Sequence, residues 1–271
     1  MKDFAGRVAV ITGGASGIGF AVARALGKRG MKLVIADIEA GALDRATATL
    51  GAEGYAAAGK ITDVGDHDAV NALADFAWER FGGAHLVMHN AGVAVFGPTQ
   101  AMGAQDWEWS LRVNLYGPVY GVQSFLPRMI AQGQGGHMVF TASFAGLVPN
   151  RDLGPYNVTK AAVVALAESV AKDAREHNIG ASVLCPMRVV SAIDQSYRNR
   201  PDSLGGTNAN RSYTDEELAQ LMGRSLPAEP VGELVAEAVA RGDLYIHTHR
   251  EAQEFIKKRA ERIQASFPHA L

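Results

Sequence analysis

Hydrophobic positions follow two alternating rhythms along this chain. Short β-branched runs at 7–12, 32–37, 55–61, 86–90, 137–141, 181–185 and 244–248 read as buried strands. Between them, apolar residues recur every three or four positions and predict helices over 18–29, 40–50, 66–81, 105–132, 155–177 and 231–241. Val70, Leu73, Ala77 and Phe81, for example, fall on one stripe of such a helix. Strands alternating with crossover helices predict an α/β fold: a single doubly wound Rossmann-type parallel sheet with helices on both faces. No Pro/Ser linker interrupts the rhythm before residue 187, so 1–271 is expected to be a single domain. The rhythm breaks over 188–230, where Arg198-Asn199-Arg200-Pro201 leads into a Gly/Asn-rich stretch at 203–210. An irregular segment of that length, directly after a strand, is expected to be a substrate lid.

Composition narrows the partner. Lys plus Arg (26) nearly balances Asp plus Glu (28), which leaves a formal charge of −2 and no footprint for nucleic acid or anionic lipid. No apolar run is long enough to cross a bilayer, and one cysteine, Cys185, fits a reducing compartment, so a cytoplasmic enzyme with a small-molecule partner is expected. His247 and His249 alternate along the last strand, but no carboxylate or cysteine cluster accompanies them, and no metal site is expected. Trp107 and Trp109 read as packing residues because the basic groove of a nucleic-acid platform is missing.

The first strand runs into Thr12-Gly13-Gly14-Ala15-Ser16-Gly17-Ile18-Gly19 and then a helix, the order that a dinucleotide site requires. Gly13 permits the tight turn, Gly17 lets backbone approach a pyrophosphate, and Gly19 lets helix and strand pack closely. The helix start at Ile18 offers N–H groups to the phosphates. Asp37 ends the second strand, where a carboxylate can bond a ribose 2′-hydroxyl and repel a 2′-phosphate. Neither Ser16 nor Ile38 supplies an offsetting charge, so NAD is the expected cofactor.

Tyr156 and Lys160 stand four apart at the start of a predicted helix and share its face. A phenol titrates near 10, and a neighbouring ammonium favours its ionised form. Ser143, just past the fifth strand, could reach the same carbonyl oxygen.

Together these residues resemble the short-chain dehydrogenase/reductase family. Its T-G-x-x-x-G-x-G turn stands at 12–19, its N-A-G at Asn90-Ala91-Gly92, its asparagine at Asn114, its serine at Ser143 and its Y-x-x-x-K at 156–160. The resemblance covers about residues 4–192. It implies that Tyr156 is the acid/base, Ser143 polarises the substrate oxygen, Lys160 binds the nicotinamide ribose and lowers the phenol pKa, and Asn114 holds a relay water. It further implies that Asp63 and Val64 touch the adenine, Asn90 and Gly92 lie along the cofactor, and Pro186, Val189 and Ser191 meet the nicotinamide end. The chain departs from the family's usual Pro-Gly at Pro186-Met187.

The expected activity is NAD-dependent oxidation of a secondary alcohol, reversible as carbonyl reduction. The alternative is a non-catalytic NAD-binding sensor or scaffold, which would need no acid/base tyrosine. Met187, Phe144, Val95, Phe96, Leu153, Tyr197 and Met222 suggest an apolar pocket. The opening residues, the Arg-Pro stretch and an amphipathic C-terminal helix resemble bacterial enzymes that oxidise benzylic alcohols of lignin-derived aryl ethers. An Ala/Val-rich helical surface at 161–167 suggests a homo-oligomer, dimer or tetramer.

Overall fold

The protein is described by a computed structural model that covers residues 1–205, 214, 216–217 and 223–268. The described residues form a seven-stranded sheet in the order β3-β2-β1-β4-β5-β6-β7, with every neighbouring pair parallel. The strands are β1 Val8–Thr12, β2 Lys32–Asp37, β3 Ala57–Ile61, β4 Leu86–His89, β5 Gly136–Thr141, β6 Ile179–Cys185 and β7 Tyr245–His247. Central strands such as Val8–Thr12 are buried throughout, which is why they read as continuous apolar runs without a polar alternation.

Helices α1 (Gly17–Gly27), α2 (Ala40–Ala52) and α8 (Ala228–Arg241) contribute to the apolar core on one face of the sheet. Helices α3 (His67–Phe81), α5 (Gly117–Gln132) and α7 (Gly154–Asp173) contribute to the core on the other. Short α4 (Ala104–Leu111) and α6 (Phe144–Leu147) lie beyond strand ends, and α9 (Ala252–Gln264) follows β7. The order of connections reverses between β1 and β4, so a crevice opens at their C-terminal ends.

One predicted helix differs. The pattern over 105–132 resolves into α4, a wider π-helical turn at Arg112–Tyr116, and α5. Pro118 explains part of the break, since it has no N–H to give to the Asn114 carbonyl one turn earlier. The segment after β6 is less irregular than its composition suggests, because it carries 3₁₀ turns at Ile193–Asn199 and Asp202–Leu204. Most of the Gly/Asn-rich stretch, and Met222, lie outside the described residues.

His247 and His249 do not share a face: His247 is exposed at the end of β7, whereas His249 is buried with both ring nitrogens in hydrogen bonds. Among the described residues no cluster of His, Cys, Asp and Glu could hold a metal ion, and no helix is long and apolar enough to cross a membrane.

Candidate active site

The glycine turn is built by close backbone approach. Gly13 and Gly17 have φ of +60° and +50°, the left-handed region that glycine occupies without strain. A Cβ on Gly19 would collide with the Gly13 carbonyl oxygen and stand 2.6 Å from Asn90 Nδ2, so helix α1 can sit on β1 only with glycine there. Asn90 fixes the turn from β4: its Nδ2 donates to the Thr12 and Gly13 carbonyls at 3.2 and 3.0 Å, and its Oδ1 accepts from Thr141 Oγ1 at 3.1 Å. Three strands are thereby tied together at the crevice. Asp37 accepts from the Ala15 and Glu39 amides, each at 3.1 Å, which holds its carboxylate beside the turn.

Tyr156 and Lys160 lie on the buried face of α7, one turn apart, with Lys160 Nζ 5.5 Å from the phenol ring centre. The Lys160 ammonium donates to the Thr141 carbonyl at 2.8 Å. Ser143 caps α6, where its hydroxyl accepts from the Ala145 amide at 3.1 Å and reaches the Pro186 carbonyl at 3.4 Å. Burial pushes the Tyr156 phenol up to about 12; a hydrogen bond with Ser143 opposes this, and the Asp194 carboxylate adds to it. Burial likewise lowers the Lys160 ammonium to about 8.

The phenol therefore moves opposite to the sequence expectation. Loss of water around the buried phenol outweighs its hydrogen bond with Ser143.

Asn114 sits in the π-helical turn and spends its side chain on structure. Its Oδ1 accepts from the Val93 amide at 2.8 Å, and its Nδ2 donates to the Val93 carbonyl at 2.9 Å and Thr159 Oγ1 at 3.2 Å. The side chain thus braces the strand-end loop rather than facing the crevice.

A single cavity collects these groups. Of the sequence-predicted residues, Gly13, Ser16, Gly17, Ile18, Asp37, Asp63, Val64, Asn90, Gly92, Ser143, Tyr156, Lys160, Pro186, Val189 and Ser191 line it, while Gly19 and Asn114 stand behind its wall. Met187 lines it too, with its methyl tip against Gly223. Phe144, Val95, Phe96, Leu153 and Tyr197, expected as pocket residues, are not among its lining. Phe96 and Leu153 pack with Tyr156, Val95 packs with Trp109, and Phe144 meets Phe255 of α9.

Sequence reasoning missed the polar wall supplied by the loop after β6. Ser196 Oγ accepts from the Ala94 amide at 3.1 Å and faces its carbonyl at 3.3 Å, and Val190 and Arg188 pair through backbone with Leu226. Arg198 and Asn199 reach Glu39, next to the cofactor end. Arg200 donates to Asp106 at 2.6 Å with both side chains buried, while its guanidinium stacks over Trp109. The pair Arg-x-Arg was visible in the sequence, but its partners lie about 90 to 160 residues earlier.

Comparisons with known proteins place the chain among similar sequences and folds. The family model described as short chain dehydrogenase matches residues 7–202. A Cα-dehydrogenase of Sphingobium sp. strain SYK-6 is 36% identical over 267 residues, covering 97% of this chain and 87% of that protein. The crystal structure of a short-chain dehydrogenase/reductase from Burkholderia phymatum in complex with NAD is 39% identical, with a TM-score of 0.90 and full coverage of both chains. A metagenomic short-chain oxidoreductase in complex with NADP is 26% identical, with a TM-score of 0.72 over 91% of this chain and 96% of that one.

Proposed function

Because this chain belongs to the short-chain dehydrogenase/reductase family, we propose that it is an NAD-dependent dehydrogenase of a secondary alcohol with an aryl or other bulky apolar substituent, reversible as carbonyl reduction. The observation that carries this reading is the convergence of Tyr156, Ser143 and Lys160 on the cavity that also holds the glycine turn and Asp37. The cradle fits a dinucleotide: Gly13, Gly17 and Gly19 leave the space that a Cβ would fill, and the start of the 11-residue helix α1 faces it. A bound nicotinamide supplies the hydride acceptor for oxidation and the donor for reduction.

The chain's own residues manage the substrate oxygen and its proton. Ser143 polarises the oxygen, and Tyr156 takes its proton during oxidation or returns one during reduction. Lys160 holds a positive charge beside the phenol and binds ribose hydroxyls. Asn114 acts through its backbone: Pro118 cannot donate to its carbonyl, which suits that oxygen to a relay water near Lys160. Asp37 accepts from the ribose 2′-hydroxyl and selects NAD.

The loop 188–230 serves as a lid on one catalytic domain spanning 1–271. The exposed line of Val158, Ala161 and Ala165 on α7 supports a homo-oligomer. Met187, Ile193, Trp109 and Leu204 give the substrate side of the cavity an apolar character that suits an aryl group. The likeness to a protein named Cα-dehydrogenase and the resemblance to benzylic alcohol oxidisers support the same class.

The test is a panel of secondary alcohols, bulky aryl carbinols included, followed by NADH absorbance. Turnover of aryl carbinols above small aliphatic alcohols is expected. No NADH formation from any alcohol, in an enzyme that binds NAD, would favour the sensor alternative.

A further inference from the structure

The sequence neighbours of Asp37 carry no positive charge, yet the fold delivers one from far along the chain. Beside the glycine turn a shallow cavity is lined by Ala15, Ser16, Asp37, Glu39, Arg45 and Arg198. It adjoins the carboxylate assigned to the ribose 2′-hydroxyl, so it is where a 2′-phosphate would project. Arg198 belongs to the loop after β6. Its Nη2 stands 2.5 Å from Glu39 Oε1, and the same oxygen accepts from Asn199 Nδ2 at 2.8 Å. Its Nη1 donates to the Ala192 and Gln195 carbonyls at 3.1 and 2.8 Å.

We propose that Glu39 is a second determinant of dinucleotide choice, acting by occupying Arg198, a cation that would otherwise join Arg45 in meeting a 2′-phosphate; this rests on the reading of the cavity as a dinucleotide site. The Glu39 carboxyl is held below the usual range chiefly by its hydrogen bonds from Arg198 and Asn199, so it stays ionised and keeps the guanidinium neutralised. Both side chains remain partly exposed, which leaves the contact exchangeable. Asp37 repels a 2′-phosphate directly, whereas Glu39 repels it and also withholds its counter-charge. Removing Asp37 alone therefore leaves the second barrier standing. Removing both charges frees a planar, fork-shaped donor suited to phosphate.

Fluorescence titration of NADH and NADPH against the whole enzyme tests this, using wild type, Asp37→Ala, Glu39→Gln, the double variant, and the double variant with Arg198→Ala. The double variant is expected to bind NADPH about tenfold more tightly than Asp37→Ala alone, the order of one charge-assisted hydrogen bond. Adding Arg198→Ala should remove most of that gain, leaving only the relief of direct repulsion by Glu39, while NADH binding changes by less than about twofold, the scale of a screened surface contact. If Glu39→Gln adds nothing to Asp37→Ala, or if Arg198→Ala weakens both nucleotides alike, the proposal is overturned. A wild-type preference for NADPH would sink the NAD assignment instead, and loss of binding to both nucleotides in wild type would sink the dinucleotide reading. Either failure is distinguishable from the Arg198 comparison.

Discussion

Replacing Tyr156 by Phe removes the phenolic oxygen that meets Ser143 and leaves the ring packed with Phe96 and Leu153. Turnover is expected to fall by roughly 10²–10⁴-fold with NAD affinity nearly unchanged; steady-state kinetics beside a nucleotide titration separates the two. Lys160→Ala should impair both together, since its ammonium is proposed to serve ribose and phenol alike. A phenol pushed up to about 12 is almost wholly protonated at neutral pH. Alcohol oxidation needs the ionised form, so its rate should rise with pH, while ketone reduction, which needs the protonated form, should not. A flat oxidative pH profile between neutrality and pH 9 would contradict that assignment. At this scale the sequence was most legible where a residue's task is local, as with Gly13, Gly17 and Gly19, whose φ or close approach the turn itself demands. It was least legible for Asn114, whose amide bonds Val93 and Thr159 across the fold.

The loop after β6 is an element with one buried ion pair among its fastenings. Arg200 and Asp106 are almost inaccessible to solvent, and Arg200 Nε has no hydrogen-bond partner among the described residues. Removing one member of such a pair leaves an uncompensated charge, with a cost of about 3–5 kcal/mol where it must stay buried. Asp106→Asn should therefore detach the 193–204 stretch rather than let the charge remain inside. The expected signature is faster hydrogen exchange across 193–204 and a raised KM for alcohol, with a smaller change in NAD affinity. Unaltered exchange there would show that the pair is not the tether. Strands and long helices were readable from their periods, but the division of 105–132 was not. Hydrophobic spacing continues through Arg112–Tyr116, and only Pro118 hints that the hydrogen-bond ladder changes. The loop's turns escaped for a related reason: their partners, Glu39 and Asp106, come from distant helix starts.

For the molecule as a whole, two histidines inside the layers set an acid limit. His89, with its Nε2 unpartnered, and His137, bonded to Ser182, are both lowered to about 3 by burial. An unfolded histidine titrates near 6.5, so below that pH the unfolded chain takes up protons that the native state refuses. Their stability contribution is complete above about pH 6.5 and is lost progressively as pH falls toward 3, with a slope of up to about 1.4 kcal/mol per pH unit for each. Urea denaturation at pH 7 and pH 5 should show the loss, and His89→Leu should flatten the dependence. An equal slope in the variant would assign it to other groups. The parallel architecture itself was legible because buried strands and crossover helices leave alternating signatures of different length, whereas the burial of these histidines depends on which face each strand position meets. The loop after β6 is fastened at Leu226, Ala94, Glu39 and Asp106, and none of these is a reacting group. The wall proposed to greet the substrate is thus a replaceable cassette on a fixed chassis: a transplanted loop that keeps Val189 and Ser191 beside the glycine turn and Ser196, Arg198 and Arg200 as its fastenings should accept a new alcohol while the chimera binds NADH as its parent does.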